Sequence, residues 1–343
     1  MNRRLLAFYL RFALPIVGCG GPPPPALTFV EGRSAEDTAA LGPSWREPLR
    51  GPHPPEQLRF LVLGDAGEGN LSQHTIGASM AALCAAKTDA APGCDFALYL
   101  GDNFYQVGVE DVHDPQFEAK FERPYAALDL PFYVVMGNHD YGSGSLDTSK
   151  VAHQIAYTRR STRWTMPART YHFAAAHAHF IALDTNAAML RDVWGDTGQE
   201  VFLDEALREA AGATWKIAFG HHPYRSNGPH GNAGSYEGQD WVPIANGAGV
   251  QALFESKLCG QIDLYLAGHD HSRQWLPPSC GVSLAISGAG AKSTSIVDRG
   301  NAPTFAEASP GFLWISIEGP MLVAEFYDQD GILEHTEQLS RVR

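Results

Sequence analysis

The chain has 343 residues, 44% of them apolar, which excludes a disordered protein and allows one large packed domain or two small ones. Its formal charge of −13 disfavours a nucleic-acid backbone as a partner, and none is expected. The same charge says little against a small phosphate ester held by metal ions, because the charges on an ion dominate the field around it.

At the N-terminus Asn2-Arg3-Arg4 precede an apolar stretch from Leu5 to Gly18 that is broken by Arg11 and followed by Cys19. The stretch is short for a membrane span, and residues 1–18 read as an export signal. The tetrad Ile16-Val17-Gly18-Cys19 resembles a bacterial lipobox, which would make Cys19 a lipidated first residue with Gly20-Gly21-Pro22-Pro23-Pro24-Pro25 as its tether. An ordinary secretory signal cut nearby is the alternative. Both readings expect an exported protein, periplasmic or extracellular. The first makes it an outer-membrane lipoprotein that meets the membrane only through its lipid. Residues 19–57 are rich in Pro and Gly and read as a tether and a strand-less arm.

The folded body is expected over 58–343, as one domain. Arg59-Phe60-Leu61-Val62-Leu63 has the composition of a buried strand and runs into Gly64-Asp65. Ser72 to Lys87 follows, with Ile76, Met80, Leu83 and Cys84 at helical spacing. The unit repeats: Phe96 to Leu100 leads into Gly101-Asp102-Asn103-Phe104-Tyr105, a helix is expected around 115–128, and Phe132 to Met136 leads into Gly137-Asn138-His139-Asp140. Three such units predict a parallel sheet. Further strands are expected at His179 to Leu183, at Lys216 to Phe219 before Gly220-His221, at Leu264 to Ala267 before Gly268-His269-Asp270-His271, and at Ser283 to Ile286. Helices fall at Gly198 to Ala211 and Val250 to Leu258. Phe312 to Glu318, Met321 to Tyr327 and Ile332 to Gln338 read as an antiparallel meander.

Besides Cys19 there are Cys84, Cys94, Cys259 and Cys280, an even number in a chain expected to be exported. Three pairings are open. Cys84 with Cys94 and Cys259 with Cys280 is favoured, because each pair brackets a short segment beside one of the Gly-led clusters. No two lie at the spacing of a zinc site.

The clusters carry the chemistry. Carboxylate, amide, phenol and imidazole form a mixed oxygen and nitrogen set that suits iron, zinc or manganese. A lone Gly-Asp is usually a turn and a lone Asn-His a loop pair. An ordered series of Asp, Asp, Asn-His, His and His-x-His, each after an apolar run, is hard to obtain from turn preferences. Two ions bridged by a carboxylate lower the pKa of a bound water and clamp the oxygens of a phosphoryl displacement.

On these residues the chain resembles the calcineurin-like metallophosphoesterases and, among them, the small purple acid phosphatases of the tartrate-resistant type. Tyr105, three residues after Asp102, discriminates, since the purple enzymes use such a phenolate to bind ferric iron. Gln154-Ile155-Ala156-Tyr157, Arg163-Trp164, Leu183-Asp184-Thr185 and Ser287-Gly288-Ala289-Gly290 extend the likeness over roughly 58–338. The resemblance implies a four-layer αββα fold, two mixed β-sheets packed as a sandwich and flanked by helices. It implies that Asp65, Asp102, Tyr105 and His271 hold Fe(III), and that Asp102, Asn138, His221 and His269 hold a second, divalent ion (Fe, Zn or Mn), with Asp102 bridging. His139 and His230 match the histidines that bind phosphate or protonate the leaving alkoxide. The implied activity is acid phosphatase hydrolysis of small phosphate monoesters, with a hydroxide on the metals as nucleophile. The rivals are a phosphodiesterase or nucleotide hydrolase on the same metals, and a surface lipoprotein that binds without catalysis.

Other histidines, His172, His177, His179 and His222, are assigned to packing or surface, and Asp140 and Asp270 to orienting their neighbours or shaping turns. The interval from Asp184 to Gln199 is short where mammalian relatives carry a protease-sensitive loop. That leaves Gly142 to Ser145 and Asn227 to Gly234 as the rim that would select substrate.

Overall fold

The computed structural model describes residues 44–49, 57–88, 93–195, 197–238 and 245–341. The expected export signal, Cys19 and most of the Pro/Gly-rich tether lie outside them. Along the chain run β1 (Ser44–Leu49), β2 (Gln57–Leu63), α1 (Leu71–Ala86), β3 (Phe96–Leu100), β4 (Phe132–Val135), α2 (Thr148–Tyr157), β5 (Trp164–Thr165), β6 (Tyr171–Ala175) and β7 (Ala178–Ala182). There follow α3 (Thr185–Met189), α4 (Arg191–Trp194), α5 (Gln199–Glu209), β8 (Trp215–Phe219), α6 (Ala248–Leu253), β9 (Leu264–Ala267), β10 (Arg273–Ser279) and β11 (Val282–Ser287). The last strands are β12 (Phe305–Glu307), β13 (Gly311–Glu318), β14 (Met321–Asp328) and β15 (Leu333–Ser340).

They form an eight-stranded sheet, β1-β6-β7-β8-β9-β11-β10-β12, and a seven-stranded sheet, β15-β14-β13-β2-β3-β4-β5. Both are mixed. β2, β3, β4 and β5 are parallel in one, and β7, β8, β9 and β11 in the other. Side chains alternate across a strand, so one face of each sheet can meet the other sheet while the opposite face meets helices. Phe60, Phe96 and Tyr133 of the second sheet pack on Phe173 and Phe180 of the first, with ring centroids 4.0 Å apart for Tyr133–Phe173 and 5.3 Å for Phe96–Phe180. One residue along from the pair Leu98 and Leu100, Tyr99 points the other way, into Phe121, Tyr125 and Trp164. The outer face of the first sheet buries Ile181, Tyr265, Leu284 and Ile286 against Phe202 and Leu203 of α5 and Leu253 of α6. This is the expected αββα sandwich.

Both disulfides pair as expected. Cys84–Cys94 joins the end of α1 to the entry of β3, and Cys259–Cys280 joins the turn after α6 to the β10–β11 turn, with Cα atoms 5.3 and 5.2 Å apart.

Two local expectations fail for identifiable reasons. The arm is not strand-less: Ser44–Leu49 pairs in parallel with β6, Ser44 opposite His172 and Trp45 opposite Phe173. This is the sheet edge, where Pro48 can be accommodated without costing a ladder bond. The helix expected over 115–128 stops early: residues 116–122 are helical, the last five as one wide turn, Glu118–Glu122. Pro124 cannot donate to the carbonyl of Lys120, which instead accepts from Gln73 Nε2 at 2.6 Å.

Candidate metal centre

Parallel strands end on one edge, so side chains just past their carboxyl ends converge. Asp65 follows β2, Asp102 and Tyr105 follow β3, Asn138 and His139 follow β4, His221 follows β8, and His269 and His271 follow β9. The two sheets are tied together at this edge, where Gly64 N donates to Ser287 O at 2.7 Å and Gly290 N to Gly64 O at 3.0 Å.

The seven residues expected as ligands fall into two touching groups. In the first, Tyr105 Oη lies 3.1 Å from Asp65 Oδ1 and 3.1 Å from His271 Nε2, and His271 Nε2 lies 3.4 Å from Asp65 Oδ1. In the second, His221 Nε2 lies 3.1 Å from Asn138 Oδ1, 3.1 Å from His269 Nδ1 and 3.5 Å from Asp102 Oδ1. Asp102 belongs to both, since its carboxyl oxygen is also within 4.8 Å of the Asp65 and His271 ligand atoms. Asp65, Asp102 and His269 hold left-handed backbone angles, with φ of 56°, 51° and 68°. Such angles cost energy and persist where the surroundings impose them.

His221 Nδ1 lies 2.9 Å from the carbonyl of Leu100, which accepts Nδ1–H and turns Nε2 towards Asn138, His269 and Asp102; burial acts to lower this imidazole, but the Asp102 and Asp65 charges outweigh it and hold it above the usual histidine range. His222 joins the second group against expectation, its ligand atom within 4.8 Å of those of His221 and His269. Its Nδ1 meets Thr185 Oγ1 at 2.9 Å. Burial holds His222 and His269 well below the usual histidine range, so both imidazoles are neutral and have lone pairs to offer.

The electrostatics suit cations. Asp65 and Asp102 are buried, and among the described residues the ion pairs they make are with histidines alone. Burial acts to raise Asp65, but His221, His271 and the His269 N–H outweigh it and hold the carboxyl below its usual value. Burial, with Asp102 and Asp65 beside it, pushes the Tyr105 phenol well above its usual value. Two buried carboxylates, a phenol, an amide oxygen and imidazoles meet here as one mixed set of oxygen and nitrogen donors. The residues present therefore fit a pair of metal ions.

His139 and His230 flank this set. His139 Nδ1 lies 2.7 Å from Gln106 O, so its Nε2 turns to Asp102 Oδ2 at 4.0 Å, while its backbone N–H donates to Asp102 Oδ1 at 3.0 Å. The His230 ring lies 4.0 Å from that of His269, centroid to centroid. Its loop is held by Asp270, whose Oδ1 accepts from His230 N at 2.9 Å and Oδ2 from Gly231 N at 3.3 Å, and by Arg299, which donates to Gly228 O at 2.9 Å. Its Nδ1 meets Glu237 Oε1 directly. Nothing in the sequence marked Glu237, which comes back to His230 only because residues 231–236 turn. Asp140 accepts from Gly137 N, Asn103 N, Phe104 N and Gln154 Nε2, and so locks the second cluster to the third. Burial and the Asp102 charge push Asp140 up to about 7 against those donors. His172, His177 and His179 lie on β6, β7 and their turn, away from the set.

Comparison with known proteins gives the family. The calcineurin-like phosphoesterase family matches residues 58–273, a span that contains every residue of the two groups. The chain belongs to that family. Tartrate-resistant acid phosphatase type 5 of Rattus norvegicus is 32% identical over 260 residues, covering 69% of this chain and 73% of the relative. Purple acid phosphatase 7 of Arabidopsis thaliana is 29% identical, covering 83% and 86%. The protein is thus a hydrolase of the acid phosphatase kind, with tartrate-resistant and purple enzymes as its relatives over most of its length. The fold is shared with the purple acid phosphatase of yellow lupin seeds (TM-score 0.63, 17% identity, 85% of this chain and 55% of that one). It is also shared with GAP50, described as an anchor in the inner membrane complex of Plasmodium (TM-score 0.66, 21% identity, 84% and 90%). The fold alone therefore does not separate an enzyme from an anchor; the site must.

Proposed function

We propose that the protein hydrolyses small phosphate monoesters at a two-metal centre, Fe(III) with a divalent ion. The observation that carries this reading is that Tyr105 Oη lies within 3.1 Å of both Asp65 and His271, which supports a phenol among the ligands of a ferric ion. Asp65, Tyr105 and His271 would hold the ferric ion and Asn138, His221 and His269 the divalent one, with the Asp102 carboxylate shared. When bound, the ions lower the pKa of a coordinated water and neutralise charge on the phosphoryl oxygens.

The chain's own residues do the rest. Leu100 O fixes the tautomer of His221, and the His269 N–H donates to Asp65 Oδ2 and holds its carboxylate in place. Gln106 O fixes His139 with Nε2 towards the reaction centre, and Glu237 orients the His230 ring. One of these two histidines gives a proton to the departing alkoxide oxygen while the other stabilises charge on phosphate. Export belongs to the same reading and is supported by the two disulfides, which oxidising compartments permit. A lipid on Cys19 would be the anchor; no helix of the described residues is long and apolar enough to cross a membrane.

The test combines metal content with hydrolysis of p-nitrophenyl phosphate and of bis(p-nitrophenyl) phosphate by the purified protein and by Asp102→Ala. Bound iron, a clear preference for the monoester and loss of turnover in the variant are expected. A preference for the diester would move the activity to the phosphodiesterases, and equal rates in the two proteins would remove the metal mechanism.

A further inference from the structure

Tyr105 has a charged neighbour that the ligand set does not need. Lys292 Nζ sits 3.3 Å from the centroid of the Tyr105 ring, over its face. The ammonium is held there by Glu68 Oε1 at 2.6 Å, and Glu68 comes from the same loop as Asp65. The segment that carries Lys292 is fixed on both sides of it. Asn70 Nδ2 donates to Ala291 O at 3.0 Å, and Thr294 N donates to His271 O at 2.8 Å. The ring is buried and the Lys292 side chain is 30% exposed, so water screens the ammonium from the ring only in part.

We infer that Lys292 tunes the iron through the Tyr105 ring, resting on the reading of Tyr105 as the ferric ligand. A cation over an aromatic face stabilises the ring's π electrons. A phenolate so stabilised gives up an electron to Fe(III) less readily, which moves its charge-transfer band to shorter wavelength. It also donates less to the metal, so the ferric state is favoured less over the ferrous state and the reduction potential is higher. Lys292 thereby opposes the over-stabilisation of Fe(III) that a buried phenolate among carboxylates would bring. Lys292 is a positioned charge, not a group that touches substrate.

The experiment records the visible spectrum, the iron content and the Fe(III)/Fe(II) potential of the metal-loaded protein, Lys292→Met and Lys292→Arg. The expected result is a band moved to longer wavelength, on the order of ten nanometres or more, and a lower potential in Lys292→Met at unchanged iron content, with Lys292→Arg close to the original. The double variant Lys292→Met, Glu68→Gln keeps most of the shift. A band that stays in place in Lys292→Met, moves equally in both single variants, or returns in the double variant overturns the inference while leaving Tyr105 on iron. Iron-loaded protein without a visible band overturns the Tyr105 reading itself, and this inference with it.

Discussion

Gly137 gives Asp102 the space it occupies: a Cβ built on Gly137 would lie 2.1 Å from Asp102 Oδ1. Gly268 does the same for Asp65, whose Oδ2 would lie 2.4 Å from the added atom. Each glycine precedes one proposed ligand in sequence and makes room for another from a different strand end. Gly137→Ala must therefore displace Asp102, whose N–H bond from His139 and contact with His221 fix it in place. Lower occupancy of the divalent site and a fall in kcat/KM of about a hundredfold are expected. Metal analysis beside steady-state kinetics checks this. Full occupancy and wild-type turnover in Gly137→Ala would show that Asp102 need not stand where it does.

Tyr105→Phe removes the oxygen that joins Asp65 to His271 and leaves a ring of the same shape under Lys292. The visible absorption of the iron-loaded protein should vanish while part of the hydrolysis persists, because Asp65, Asp102 and His271 still supply ligands. An unchanged spectrum would sink the assignment of Tyr105 to iron.

Much of this site was legible because each proposed ligand sits within a few residues of a strand end, and the apolar strand and the turn after it are both local signals. Gly137 and Gly268 were visible only as turn formers; that they make space for Asp102 and Asp65 depends on how strands pair, β3 beside β4 and β2 across from the other sheet. Glu237 and Lys292 carried no such mark, and His222, although it follows His221 just past the end of β8, is assigned by its sequence to packing or surface. The roles of Glu237 and Lys292 depend on where a loop returns, and a glutamate or a lysine in a polar loop is ordinarily solvated. The strand Ser44–Leu49 was hidden by the Pro and Gly content around it, and its edge position is what makes Pro48 tolerable.

Glu237→Gln keeps the side-chain shape and weakens the hold on His230 Nδ1. If His230 supplies the proton to the leaving group, the loss falls unevenly across substrates. A poor leaving group such as an alkoxide needs the proton and should be hydrolysed about tenfold more slowly, whereas p-nitrophenolate departs without it and should change far less. A series of aryl and alkyl phosphates measures this. A uniform fall across the series would mean that Glu237 only shapes the loop.

Acid stability turns on a pair outside the site. His179 Nε2 lies 3.0 Å from His172 Nδ1 between β6 and β7, and burial, with the nearby Lys216 charge, pushes His179 down to about 4. In the unfolded chain the same imidazole takes its proton near 6.5, the ordinary value. Above that pH it is neutral in both states and costs nothing. As the pH falls from 6.5 towards 4, the unfolded chain gains a proton that the folded chain refuses, so stability drops through that window. The full shift, reduced for partial screening by solvent, corresponds to about 1–2 kcal/mol. Denaturant midpoints at pH 7 and pH 4.5 should therefore converge in His179→Gln relative to the wild type. Equal acid sensitivity in the two proteins would place the loss on other groups. An acid phosphatase working in this window would do so with this part of its stability surrendered, and the two disulfides would still cross-link the chain because they do not titrate.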